Sequence, residues 1–466
     1  MRASCWWRLA NGGRGEICEG FSFERAAPFP RCPFFFFFLL ADCSSSGGSA
    51  TQITLIGFVF LVVNYLMALL YACIWSSTMP PWWFHLLCVL NMFIYQTMDN
   101  LDGKQARRTR TSSVFGEIFD HGCDSLFLAF TIPSWHLSLG SNSWTSLYHL
   151  IASAVAFYMA HMEEYYTRVL IMGPIQNPTE AQFFIFLIYI LTSAFGSKMW
   201  TKPLFTARDE VQLDSLPWNQ DKQIARSYTF RHVDLVSAIV TVAVSVATVS
   251  NFKRSLSIFW SRRRAKHPRV ENNAAFAKSG RSSFNSSTSS PRDRNSKTPS
   301  STVEQPSKFP GRAPADAPLP TLQDHLQHPF LVFMPMLILM GSILFWALWS
   351  PTNIFDRHPF YFYAIYSLVS SYLCIKLILA RICKTKLRVS ALVLVPLLGM
   401  ASALSLSSSS APIISEETIL YTSLGLTMFI YWHFVTSAFL QFREHYHTKF
   451  LTIHTPRKSS RPEPLS

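Results

Sequence analysis

Charge is scarce in this chain. Of 466 residues, 15% are Asp, Glu, Lys or Arg, against about a quarter in ordinary soluble proteins. A soluble chain of this length would be read as two or three domains. The low charge, with 49% hydrophobic residues and a mean hydropathy of +0.19, argues against that reading. Acidic residues are fewer than basic ones, 27 against 41, so the formal net charge is +14 and the pI is near 9.4. Nucleic-acid binding is one standard meaning of a basic chain. Here the basic residues sit in loops between apolar runs, which is the pattern of cytoplasmic loops in a membrane protein. Paired cysteines are missing too. Cys73, Cys88 and Cys374 lie inside apolar runs, and Cys123 and Cys383 lie beside them. No spacing fits a zinc site or a disulfide framework, so these are expected to be small apolar fillers and loop thiols. No internal repeat is evident.

What the chain has instead is long apolar runs, rich in phenylalanine, which occurs 39 times. Ten segments approach the roughly 20 residues needed to span hydrocarbon: 53–75, 82–98, 116–138, 143–162, 181–200, 233–250, 329–349, 359–380, 387–408 and 418–440. The expected fold class is therefore all-α, a polytopic membrane protein with about ten transmembrane helices. The third segment is the least apolar at its start, where Glu117, Asp120, His121 and Asp124 fall.

Loop charge supplies an orientation. Lys104, Arg107, Arg108 and Arg110 follow the second segment; Arg381, Lys384, Lys386 and Arg388 follow the eighth; Arg443, Lys449, Arg457, Lys458 and Arg461 follow the tenth. With ten spans these fall on one side together with both termini, and the positive-inside rule makes that side cytoplasmic. Glu416 and Glu417 suit a lumenal loop, and the mixed loop at 201–230 decides nothing. Trp82, Trp83 and other span-end aromatics read as interfacial belt residues, and His161, Glu163, Glu164 and Tyr165 as a snorkelling cluster at the end of the fourth span.

The expected organisation follows from these shifts. Residues 1–50 form a poorly structured N-terminal segment. Arg2, Arg8 and the run Phe34 to Leu40 give it the outline of a signal peptide, but the apolar stretch starts late and Glu16, Glu19 and Glu24 precede it. Residues 51–250 hold the first six spans. Residues 251–328 form a basic disordered cytoplasmic linker, with 14 Lys/Arg against 5 Asp/Glu and much Ser and Pro. Residues 329–440 hold spans seven to ten, and 441–466 form a cytoplasmic tail.

Chemistry concentrates between Met98 and Asp124, which reads MDNLDGKQARRTRTSSVFGEIFDHGCD. Ionisable groups at a bilayer are costly and so mark functional sites. Asp99 and Asp102 are three apart and share a helix face with Gly103 and Ala106. Gly116, Asp120 and Asp124 recur at four-residue steps, each only about 40° round the helix. Two helices can thus aim two carboxylates each at one point. Their repulsion calls for divalent cations, and hard oxygen ligands with room for phosphate suit Mg²⁺ or Mn²⁺. A pair of such ions fits displacement at phosphorus. Gly103, Ala106 and Gly116 leave space for a base or diphosphate to approach, and Arg107 can pair with phosphate oxygens.

At this point the residues resemble a known family. The CDP-alcohol phosphatidyltransferase motif, D-x2-D-G-x2-A-R-x8-G-x3-D-x3-D, is filled at every fixed place by Asp99, Asp102, Gly103, Ala106, Arg107, Gly116, Asp120 and Asp124. The strings IYQTMDNLDGKQARRT and GEIFDHGCDSL are similar to the eukaryotic choline/ethanolaminephosphotransferases, with weaker likeness at ITLIGF, around His161–Tyr165 and at LWSPTNIFDRHP. The resemblance implies that Asp99, Asp102, Asp120 and Asp124 hold two Mg²⁺ or Mn²⁺ ions. It implies that Arg107, with Gly103, Ala106 and Gly116, receives the CDP-alcohol, and that His121 takes the proton from a diacylglycerol hydroxyl. His121 has an unperturbed pKa near neutrality, and Glu117, one turn before it, is placed to orient the ring. The implied partners are CDP-ethanolamine or CDP-choline, diacylglycerol and membrane lipids, with no nucleic acid; a homodimer stays open. The implied place is the endoplasmic reticulum or Golgi membrane, with the active site facing the cytoplasm.

One departure stands out: where the family carries a Pro-Asn pair before its first span, this chain has Ala50 and Thr51. Alternatives kept open are a relative with another acceptor such as inositol, a non-catalytic membrane paralogue, and an ion transporter. A transporter would place its acids mid-span rather than at span ends.

Overall fold

The computed structural model describes residues 50–74, 79–109, 112–171, 178–209, 226–266, 326–388, 391–407 and 414–446. Most of the expected N-terminal segment, the expected linker from 267 to 325, Arg110 and the tail after 446 lie outside the described residues.

The chain is an all-α membrane protein with one small two-stranded hairpin. In order it runs α1 (Ala50–Ile74), α2 (Trp82–Thr109), α3 (Val114–Leu139), α4 (Ser143–Thr167), α5 (Pro178–Phe195) and a short α6 (Lys198–Thr201). After strands β1 (Pro203–Asp209) and β2 (Arg226–Arg231) come α7 (His232–Lys266), α8 (Pro329–Trp349), a short α9 (Ile354–Arg357) and α10 (Pro359–Ile382). A 3-10 turn at Ala391–Leu394 leads into α11 (Val395–Ser407), and α12 (Glu416–Tyr446) closes the fold. Among the described residues, five helices are both long and apolar enough to cross a bilayer, with spans at Ala50–Ala72, His232–Arg264, Pro329–Trp349, Pro359–Ile382 and Glu416–Phe442.

Several boundaries differ from the sequence expectation, each for a physical reason. The helix expected to stop at 98 continues to Thr109, because Lys104, Gln105, Ala106, Arg107 and Arg108 are good helix formers and the two arginines lie at the favourable C-terminal end. Asp99 and Asp102 are therefore held on one rigid element. The helix expected to end at 250 continues to Lys266, so the first residues of the expected linker are helical. Phe252 and Phe259 carry this extension onto Phe330 and His328 at the start of α8. The mixed loop at 201–230 contains a two-stranded antiparallel hairpin, β1 paired with β2, with Phe205 stacked on Phe230. The expected ninth span is described as the 3-10 turn followed by α11.

Two apolar clusters hold the bundle. A smaller one joins α1, α2, α3 and α5 through Leu61, Phe84, Met92, Tyr95, Phe127 and Tyr189. A larger one centres on α10, whose most apolar stretch is 83% buried, against 11% for α7. The helix α10 is thus the inner post of the fold, packed on α3, α4, α8 and α12, while α7 is peripheral and packs chiefly on α4.

The site depends on how closely α1 and α2 approach. A methyl group at Gly57 would come within 2.9 Å of Met98 Cβ and 3.4 Å of the Tyr95 backbone. Only glycine lets these helices meet there, and the meeting brings Thr54 against Asp102.

Candidate active site

Ser113 starts α3 by accepting the Gly116 amide at 3.0 Å, which fixes the first turn that presents Glu117, Asp120, His121 and Asp124. Opposite lies the C-terminal half of α2 with Asp99 and Asp102. One carboxylate oxygen each of Asp99, Asp120 and Asp124 lie within 4.8 Å of one another. Asp102 is buried beside them, touches Asp120 and accepts a hydrogen bond from Thr54. The two pairs expected from spacing do converge, three of them tightly and Asp102 at the margin.

This arrangement is electrostatically costly by itself. Like charges at that separation repel by at least about 3 kcal/mol per pair at an effective dielectric of about 20. Among the described residues Asp120 Oδ1 is buried without a hydrogen-bond partner, and buried carboxylate oxygens are rarely left so. Oxygen-only donors, mutual repulsion and an orphaned oxygen fit a hard divalent cation. Two further groups brace the cluster. Tyr95, buried and stacked on Phe127, donates its hydroxyl to Asp124 Oδ1 at 2.6 Å. Thr54 braces Asp102 from α1 in the same way.

The expected substrate-side residues sit on the rim. Arg107 is exposed, and its guanidinium lies over Gly103. Ala106 and Gly116 are half-buried, and the Gly116 amide is already engaged by Ser113.

His121 is half-buried, with Nδ1 4.0 Å from Asp124 Oδ2. Its ring meets that of His161 edge to face at 5.0 Å. Glu117 does not orient it. The Glu117 carboxylate is instead ion-paired with Arg381, from the last turn of α10. Arg381 also pairs with Glu164 at 3.1 Å, and Glu164 accepts from His161 Nδ1 at 3.2 Å. The cluster expected to snorkel is buried: His161, Glu163, Glu164 and Tyr165 are each 5% exposed or less. Burial is possible because every charge has a partner, with Arg254 of α7 gripping Glu163 at 2.7 and 2.9 Å.

Residues 49–207 match the CDP-alcohol phosphatidyltransferase family, and the matched stretch contains all four aspartates. This segment is a CDP-alcohol phosphatidyltransferase domain. The chain is similar to a choline/ethanolaminephosphotransferase of Arabidopsis thaliana, 28% identical over 84% of each chain. It is also similar to a cholinephosphotransferase of Homo sapiens, 36% identical over 36% of this chain and 40% of that one. An uncharacterized CDP-alcohol phosphatidyltransferase class-I family protein of Dictyostelium discoideum is 39% identical over 32% of this chain and 36% of its own. The chain thus carries a CDP-alcohol phosphatidyltransferase domain, and its named plant and human relatives are phosphotransferases of choline or ethanolamine.

Three residues that hold the carboxylates of this cluster and its flank, Tyr95, Thr54 and Arg381, do not stand out in the sequence. Tyr95 lies one helical turn before Asp99, a spacing that could have pointed to it. Thr54 sits in the ITLIGF string, whose likeness to the family was visible without its role. Arg381 gave no signal, because it lies 264 residues from Glu117 and looks like one more basic loop residue.

Proposed function

We propose that this transferase moves phosphoethanolamine or phosphocholine from CDP-ethanolamine or CDP-choline to 1,2-diacylglycerol, releasing CMP and forming phosphatidylethanolamine or phosphatidylcholine. The observation that carries this reading is the convergence of Asp99, Asp120 and Asp124 from two helices at one end of the bundle. The names of the plant and human relatives support the choice of head group.

In this reading Asp99, Asp102, Asp120 and Asp124 hold two Mg²⁺ or Mn²⁺ ions. When bound, these offset the carboxylate repulsion and draw charge away from the diphosphate. Arg107, exposed at the rim, receives the diphosphate of the incoming donor. His121 accepts the proton as the diacylglycerol oxygen attacks the β-phosphorus. A new phosphorus–oxygen bond forms there, and the phosphoanhydride bond to CMP breaks. Glu117 serves through its ion pair rather than by touching substrate. A site at the end of the spans lets a soluble donor meet a membrane-bound acceptor. We place it at the cytoplasmic face of the endoplasmic reticulum or Golgi membrane.

The test uses microsomes carrying the full chain, labelled CDP-ethanolamine and CDP-choline side by side, with and without Mn²⁺ after chelation. Transfer should require the cation and should be lost in Asp120→Asn and Asp124→Asn with the protein still inserted. Normal turnover in both variants would sink the proposal.

A further inference from the structure

Arg381 lies outside the matched domain, in the second half of the chain, yet it reaches two carboxylates that flank the proposed base. Its guanidinium is 12% exposed and joins two carboxylates from different helices, Glu117 of α3 and Glu164 of α4. Its own carbonyl accepts from Arg168, so the end of α10 is held as well. Glu117 stands one turn before His121, and Glu164 holds His161, whose ring edge abuts that of His121.

Resting on the function proposed above, the geometry points to Arg381 as a positioning residue: it keeps Glu117 and Glu164 engaged so that the His121 ring stays open to the acceptor hydroxyl. The alternative fate of Glu117 follows from helix spacing. A carboxylate four residues before a histidine on one helix is within side-chain reach of its ring. Without Arg381, Glu117 has the His121 imidazole as a near hydrogen-bonding group and turns it from the hydroxyl. Glu164 would then compete through His161. A guanidinium suits this clamp because its forked nitrogens serve two carboxylates at once, whereas an ammonium is a single point. The bland reading is a helix-end staple that only tightens the bundle. That staple would change stability without favouring turnover over substrate affinity.

The experiment compares the full-length wild type, Arg381→Ala and Arg381→Lys in detergent or microsomes. The donor is the labelled CDP-alcohol that the wild type uses, and the acceptor is dioleoylglycerol. Folding is followed by size-exclusion profile. Arg381→Ala should lower kcat by about 30- to 100-fold, the scale of a small misplacement of a reacting group, with the donor KM within about twofold. Arg381→Lys should recover kcat to within about tenfold of wild type, since it keeps one of the two pairs. An unchanged kcat in Arg381→Ala overturns the inference. So does a raised donor KM with kcat preserved, which would make Arg381 a donor ligand. Loss of the folded peak in both variants overturns it in favour of the staple. A wild type that releases CMP from neither CDP-ethanolamine nor CDP-choline overturns the function and the clamp together. An active wild type beside an unimpaired Arg381→Ala overturns the clamp alone.

Discussion

Tyr95 and Asp124 are joined by a 2.6 Å hydrogen bond across two helices, from a phenol that is 1% exposed to a carboxylate of the acidic cluster. The bond fixes which way Asp124 points and couples α2 to α3 at the depth where the aspartates meet. If Asp124 holds a cation as proposed, Tyr95 stands one layer behind a metal ligand, and removing such partners commonly changes metal affinity or activity by about 10- to 100-fold.

Tyr95→Phe keeps the stacking on Phe127 and deletes only the hydroxyl. We expect about tenfold weaker Mn²⁺ activation with little change in thermal stability. A titration of transfer rate against free Mn²⁺ reads the effect. An unchanged activation curve would show that Asp124 holds its orientation without the phenol.

Gly57→Ala tests the close approach of α1 and α2. The added methyl would collide with Met98 Cβ, and the helices must separate to accept it. Overpacking of this kind costs about 1–3 kcal/mol. The thermal midpoint in detergent should drop, and transfer activity should drop with it because Thr54 moves off Asp102. Gly341, where none of the described residues lies within 4 Å of an added methyl, provides the control: Gly341→Ala should leave both unchanged.

Arg254→Ala leaves Glu163 buried and unpaired. Breaking a buried pair costs about 3–5 kcal/mol, but Arg254 is 39% exposed, so solvent screening reduces the expected loss to about 1–3 kcal/mol. Adding Glu163→Gln removes the stranded charge and should restore much of the midpoint. A double variant no more stable than Arg254→Ala alone would mean that packing, not charge, is the cause.

How much of this is legible in the sequence depends on distance along the chain. The four aspartates were legible because their spacing is a property of two short helical stretches, and helix geometry converts spacing into direction. The apolar runs gave the membrane class for a similar reason. The Glu117 partner was not legible. Four-residue spacing pointed to His121, and the actual partner, Arg381, reaches Glu117 only because α10 passes through the middle of the bundle. The His161–Tyr165 cluster was misread for a related reason: a charged span end snorkels by default, and only the pairing of Glu163 with Arg254 and of Glu164 with Arg381 makes burial tolerable. The extension of α7 to Lys266 was hidden by its basic composition, which resembles a linker while Phe252 and Phe259 recur at helical spacing.

Glu416 shows the same limit at the opposite end of the bundle. Its two charges with Glu417 looked like a solvated lumenal loop. In the fold Glu416 is 6% exposed and accepts from the Trp346 indole at 3.0 Å, Ser350 Oγ at 2.9 Å and Thr352 Oγ1 at 2.5 Å. Glu416→Ala strands these donors, and an unsatisfied buried donor costs about 1–3 kcal/mol. The thermal midpoint should decrease while kcat per folded molecule stays near wild type, since the change lies far along the helices from Arg381. A specific loss of kcat would show that the two ends communicate.

The inner position of α10 has one more consequence. The stretch from 49 to 207 carries the clustered aspartates but not the wall they lean on: Ser371 meets Ser125 at 2.5 Å, and Ile375 lies against Gly122. A fragment ending before α8 would turn the faces of α3 and α4 that α10 covers toward lipid tails, with Glu117 and Glu164 stripped of their counter-charge. The two halves of this chain therefore share one core, and Glu117 and Glu164 of the first half take their counter-charge from Arg381 of the second.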